Sequence, residues 1–236
     1  MSSPSPHLNA IVEFVGLPGV GKSTVSRLSA AVLDENHPRV WEPTRRIDDR
    51  SGPHRVLSKG RHAAEHALRC PRPALSMTRN LLKTYQASTT DTVRVSFNLH
   101  YVSGVVARAR ATPGLAILDQ GPYQGVWSVG LHSTIGWGSL LNRFAYFLSR
   151  TAADLVVLVE ADADTIARRL RSREGRDTRV VPGTPTFDRG VNGYERLKRR
   201  IQSADKFKSI VVNNITNTDL EAGANQVAAA ADSLRN

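Results

Sequence analysis

The 236-residue chain has one cysteine, Cys70. A single thiol cannot close an intrachain disulfide or build a multi-cysteine metal site, so a reducing, cytoplasmic setting is expected. Acidic side chains are also scarce: 21 Asp and Glu stand against 32 Lys and Arg, a formal net charge of +11. That balance favours anionic partners, and a nucleotide satisfies it as well as a nucleic acid does. Aromatics form 6 % of the chain and do not alternate with basic residues as in single-strand binders. None of the usual nucleic-acid modules occurs, so nucleic acid is not an expected partner. No run of about 18 apolar residues exists, so nothing spans a membrane and no membrane partner is expected. Met1 to His7 lacks the basic and apolar regions of a signal peptide, and residues 1–8 read as disordered.

What is present begins with Ile11-Val12-Glu13-Phe14-Val15-Gly16-Leu17-Pro18-Gly19-Val20-Gly21-Lys22-Ser23-Thr24. An apolar strand runs into a glycine-rich turn, and Lys-Ser then opens a helix. Gly16, Gly21, Lys22 and Ser23 fit G-x-x-x-x-G-K-[ST], the Walker A pattern. Glycines allow backbone conformations that a Cβ forbids, so successive N–H groups can turn inward around a phosphate. The helix start adds its positive dipole end at the same point. ATP-Mg²⁺ is therefore expected on Gly16, Gly19, Val20, Gly21, Lys22, Ser23 and Thr24. Lys22 would reach the β- and γ-phosphates, and the Ser23 hydroxyl would ligate Mg²⁺.

The apolar fraction of 40 % supports a core, and the length suits one α/β domain over residues 9–236. The expected strands are Asn9 to Val15, a short one before Pro43, Leu115 to Asp119, Asp154 to Glu160, and Ser209 to Asn213. Helices are expected over Lys22 to Asn36, over most of Met77 to Ala111, over Leu140 to Arg150, from Asp162 to about Glu174, and over Asn192 to Phe207. A Thr218–Glu221 capping box is expected to open the last helix. Thr44 to Pro73 is basic and broken by Gly and Pro, with at most a short helix around Arg61 to Leu68. Gly175 to Gly193 reads as a mobile loop. Alternation of strands with helices implies a parallel sheet with helices on both faces. Leu140 to Leu148 is a possible face for a homodimer.

Three further places carry chemistry. Asp119 closes a buried strand, where a carboxylate can hold Mg²⁺. Glu42 ends the second strand on the acceptor side of the cleft. It either takes a proton from an attacking hydroxyl or is an exposed strand-end acid. Arg168, Arg169, Arg171, Arg173, Arg176 and Arg179 crowd one helix end and the loop after it. Spacing of three to four residues puts Arg169, Arg173 and Arg176 on one side, where a closing loop could stabilise charge on the γ-phosphate.

The P-loop, Glu42-Pro43, the strand ending in Asp119, and Asp162 through Arg176 recur in order and at fitting distances. Together they resemble the thymidylate kinase and deoxynucleoside kinase group of P-loop kinases, over most of Ala10 to about Leu234. The resemblance implies a three-layer fold with sheet order 2-3-1-4-5 and an arginine-rich lid over about 168–193. It also implies an acceptor-binding helical region over about 44–113 and Glu42 as base for a sugar hydroxyl. The lid arginines of the group correspond best to Arg169, Arg173 and Arg176. One departure concerns the acceptor: Asp119-Gln120-Gly121 stands where the group has an acid followed by arginine. Gln120 is neutral and suits a hydroxyl or amide better than a phosphate dianion. Asn98 and His100 fall where the group places acceptor contacts, with packing or surface roles as the alternative.

No Asn-Lys-x-Asp motif or Leu-Ser-Gly-Gly signature occurs, which argues against a regulatory GTPase and a transporter-type ATPase. The expectation is an ATP-dependent kinase acting on a nucleoside, nucleotide or similar small metabolite. The competing reading is a P-loop module that binds ATP for regulation or assembly and transfers nothing.

Overall fold

A computed structural model describes residues 9–36, 39–49, 51–172 and 180–234. The central strand is β1, Asn9–Val15, whose run of β-branched and aromatic side chains is buried on both faces of the sheet. It lies between β3, Gly114–Leu118, and β4, Leu155–Glu160, pairing in parallel with each. The short β2, Val40–Trp41, flanks β3, and β5, Lys208–Asn213, flanks β4. The order is β2-β3-β1-β4-β5, as the resemblance implied. Pro43 ends β2 early, because it lacks an N–H and opens α2, Pro43–Asp48, at its first position.

Helix α1, Lys22–Asn36, packs with the last helix on one side of the sheet. The region from Thr44 to Pro73 is far more helical than expected. It holds the rest of α2, all of α3, Gly52–Arg69, and the first turn of α4, Pro71–Leu82. Pro53, Pro71 and Pro73 sit in first turns, where no helical hydrogen bond is forgone, so they start helices instead of breaking them. Gly60 lies inside α3 with open space around it. Helix α5, Thr89–Arg110, is capped by Ser88 and packs along α3 and β1. A break at Tyr85, which has a positive φ of 49°, separates it from α4.

After β3 come three short helices, α6, Pro122–Leu131, α7, Trp137–Arg143, and α8, Ala145–Thr151. Leu140, Leu141, Phe144 and Leu148 are buried in the chain's own core, so the stretch expected as a dimer face leaves these side chains unavailable. Helix α9, Ala163–Arg171, is capped by the Asp162 side chain as expected. Helix α10, Pro185–Gln202, starts seven residues earlier than the expected Asn192, with Thr184 as its cap. Its two glycines, which read as loop, are there for packing. Trp127 Nε1 donates to the Gly190 carbonyl at 2.9 Å, and Trp137 Nε1 donates to that of Arg189 at 3.0 Å. A Cβ on Gly193 would lie 2.0 Å from the Trp137 ring. The closing helix α11, Asn217–Asp232, takes its capping box from Thr216 and Asp219, two residues before the expected pair. Among the described residues no helix is long and apolar enough to cross a membrane.

Among the described residues one acidic side chain is buried in this core. Glu13, on β1, is fully buried. Its Oε1 accepts the first-turn N–H groups of α6, from Tyr123 at 2.8 Å and Gln124 at 3.1 Å, while Oε2 meets no donor among the described residues. Burial pushes its pKa from 4.5 up to about 8 against the lowering effect of those two bonds, so the group is protonated at neutral pH.

Two stability measurements test this packing. Gly193→Ala should cost about 1–3 kcal/mol in chemical denaturation, because Trp137 has to move, whereas Gly60→Ala should be neutral or stabilise by up to about 1 kcal/mol. For Glu13, the folded-state pKa lies above the unfolded one. Its contribution is therefore fully present below about pH 4.5 and is lost as pH rises through about 8. Wild type should lose melting temperature relative to Glu13→Gln across that window; parallel curves would exclude a raised pKa.

Candidate active site

Because all five strands are parallel, their C-terminal ends point the same way, and the segments that follow them meet at one edge. There the 16–21 turn joins β1 to α1. Gly19 and Gly21 have φ of 89° and 88°, and a Cβ on Gly21 would lie 2.2 Å from Asn214 Nδ2. The turn's carbonyls are occupied by other groups. Asn214 Nδ2 donates to the Val20 carbonyl at 2.7 Å and Arg169 Nη1 to the same oxygen at 3.2 Å. Lys22 Nζ donates to the carbonyls of Gly16 at 2.7 Å and Leu17 at 3.1 Å. The Gly16 N–H donates to Gln124 Oε1 at 3.2 Å.

Asp119 follows β3 directly across from the start of α1. The Ser23 hydroxyl lies 3.4 Å from its Oδ2, and the Thr44 hydroxyl donates to its Oδ1 at 2.7 Å. Thr44 is itself buried at the head of α2. A hydroxyl and a carboxylate converging beside a phosphate-sized backbone cradle are a hard oxygen donor set. They fit Mg²⁺, which keeps most of its ligands as water and phosphate. The cradle, with a lysine folded over it, fits a polyphosphate.

A cavity of about 560 Å³ opens from this point. Gly19, Gly21, Lys22, Ser23 and Thr24 line one end, with Asp119 and Gln120 beside them. The far side is formed by Lys59 of α3, Arg94 and Asn98 of α5, and Gln124 and Trp127 of α6. Lys59 pairs with Asp48 at 2.6 Å and lies over the Tyr101 ring, and Arg94 pairs with Asp91 on its own helix. Asn98 thus faces the cavity, and His100 does not. Two residues along a helix reverse a side chain's direction. His100 instead lies between α3 and α4, 3.3 Å from His66 and 2.9 Å from the Thr78 hydroxyl. Burial lowers the pKa of both imidazoles, which stay neutral at pH 7.

Glu42 stands at the head of α2, at the end of the strand beside β3. Its Oε2 takes the Arg45 guanidinium at 2.6 Å. Arg169 was expected over the γ-phosphate. Its guanidinium instead braces the turn from outside, on the carbonyls of Val20 and, at 3.0 Å, Asn214. Arg173 and Arg176 lie outside the described residues. Several contributors escaped the sequence reading: Glu13, Thr44, Lys59, Arg94, Gln124 and Asn214. Only Glu13 carried a signal, as a lone acid inside an apolar strand.

Neither a protein-family model nor a curated protein sequence matches the chain. Solved structures do. A deoxyadenosine kinase from M. mycoides with dCMP and dCDP bound aligns with a TM-score of 0.56 at 13 % identity, covering 94 % of this chain and 99 % of that one. The same enzyme with dATP bound gives 0.55 at 13 %, covering 92 % and 98 %. A thymidylate kinase from Ehrlichia chaffeensis gives 0.52 at 14 %, covering 92 % and 96 %. Along nearly the whole of both chains, the fold is that of the P-loop deoxynucleoside and thymidylate kinases.

Proposed function

We propose that residues 9–236 act as one ATP-dependent kinase domain. It moves the γ-phosphoryl group to a hydroxyl or phosphate of a nucleoside, nucleotide or similar small metabolite. The observation that carries this reading is a single cavity. It runs from the Gly16–Thr24 cradle and the Ser23–Asp119 pair to a second polar wall made by Lys59, Arg94, Asn98 and Gln124. A module that only held ATP would gain nothing from a second chamber lined this way.

In this reading the cradle's N–H groups and Lys22 hold the β- and γ-phosphates, with Lys22 leaving the Gly16 and Leu17 carbonyls to do so. Ser23 and Asp119 hold Mg²⁺, which when bound neutralises charge on the phosphates. Thr44 fixes one oxygen of Asp119, leaving the other turned to Ser23. Glu42, oriented by Arg45, accepts the acceptor's proton or positions its hydroxyl. The neutral Gln120 replaces the arginine of the resembling group, and Lys59 and Arg94 supply positive charge to the same chamber from α3 and α5. The helical region over about 44–113 is thus the acceptor side. Arg173 and Arg176, in the segment over about 168–193, are proposed from their spacing alone to stabilise charge on the transferring group.

A coupled ADP-release screen over nucleosides, nucleotides and other small alcohols tests the reading with wild-type protein. ATP binding without turnover on any of them would favour the non-catalytic alternative. With an acceptor in hand, Lys22→Ala should lower kcat by roughly a hundredfold or more with the fold intact. A fully active Lys22→Ala would overturn the ATP assignment. Glu42→Gln should remove turnover while ATP affinity stays within about twofold. A collapse of ATP binding would instead move Glu42 to the donor side.

A further inference from the structure

The helices after β2 leave an unusual amount of apolar surface uncovered. Of the eleven large hydrophobic side chains exposed among the described residues, eight lie between Val56 and Phe97. On α3 the outward positions are Leu57, Arg61, Ala64 and Leu68, and on α4 they are Leu75, Arg79 and Leu82. Steps of three and four residues place each set on one face of its helix. Leu57 is 73 % exposed and Leu68 82 %. The faces are continuous: Ala64, Leu82, Val93 and Phe97 line one open groove of about 540 Å³. A joined patch of this kind is unlike leucines scattered singly over a surface, and it marks an interaction site.

Charge selects the occupant. Residues 52–83 carry seven Lys and Arg and one acid, Glu65, which is already paired with Arg61 at 3.4 Å. Arg69, Arg72, Arg79 and Lys83 are exposed around the leucines. A symmetric pairing of two copies would set this patch against its own image, so the cations would repel. An anionic bilayer suits both properties at once. Leucines enter the headgroup boundary, and the Arg and Lys stems lie along it with their charges among the headgroups. Tyr85, 65 % exposed between α4 and α5, is a side-chain type enriched at that depth.

We propose that the outer face of α3 and α4 is a peripheral docking surface for membranes rich in anionic lipid. This departs from the expectation, drawn from the lack of a spanning segment, that no membrane takes part. Lying on a bilayer needs no spanning helix. Phe97 lines both the groove and the cavity of the candidate active site, so docking sets the acceptor wall close to the lipid.

Vesicle sedimentation with the full chain tests this independently of any kinase activity. Binding to vesicles containing phosphatidylglycerol should exceed binding to pure phosphatidylcholine by about tenfold or more, and should fall about tenfold from low to high salt. Leu57→Glu combined with Leu68→Glu should abolish association with unchanged thermal unfolding. Arg72→Gln with Arg79→Gln should weaken it severalfold and flatten the salt dependence. Failure of the wild type to bind anionic vesicles overturns the proposal, as does undiminished binding by the leucine variant. Light scattering supplies a third way to lose it: a wild-type dimer that the leucine substitutions split into monomers gives the face to a second copy.

Discussion

The tight 16–21 turn, with Gly19 and Gly21 at positive φ, is the constraint on which this edge of the molecule depends. Turning the N–H groups inward turns carbonyls outward, toward buried surroundings where an unpaired oxygen is costly. Two distant parts of the chain answer this. Asn214 follows β5, Arg169 comes from α9, and both donate to Val20. Gln124 comes from α6 and fixes the first amide of the turn. The loop's shape is therefore held by tertiary partners as much as by its own glycines.

The parallel sheet makes this possible. With every strand running the same way, each crossover returns the chain to one edge, so residues more than a hundred positions apart arrive within hydrogen-bond distance. Glu13 ties the middle strand to that edge from below. Its carboxyl takes both early amides of α6, and the same helix carries Gln124 up to the turn. Asp119 is shared between Ser23 at the start of α1 and Thr44 at the start of α2, so one carboxylate sets the spacing of the two helix ends.

Most of this framework is legible in residue patterns, because strands buried on both faces are unbroken apolar runs and the P-loop has a fixed spacing. The helices that differ from expectation over 44–73 and 185–193 share one cause: glycine and proline read locally as breakers. Pro53 and Pro71 start helices, and Gly193 makes room for Trp137, which is 56 residues away in sequence and invisible to a local reading. The 16–24 end of the cavity follows from local spacing. The far wall does not, since Lys59, Arg94 and Asn98 meet only once α3 and α5 have packed. His100 shows the limit most plainly, being two residues from a cavity-lining side chain and on the other side of its helix.

The indole of Trp127 belongs to the cavity wall while its N–H is fastened to α10. Only two other tryptophans are present, Trp41 on β2 and Trp137 against α10. The molecule therefore contains its own optical reporter. Filling the cavity displaces water from one face of a fluorophore whose other end is held still, so occupancy can be followed through emission without attaching a label.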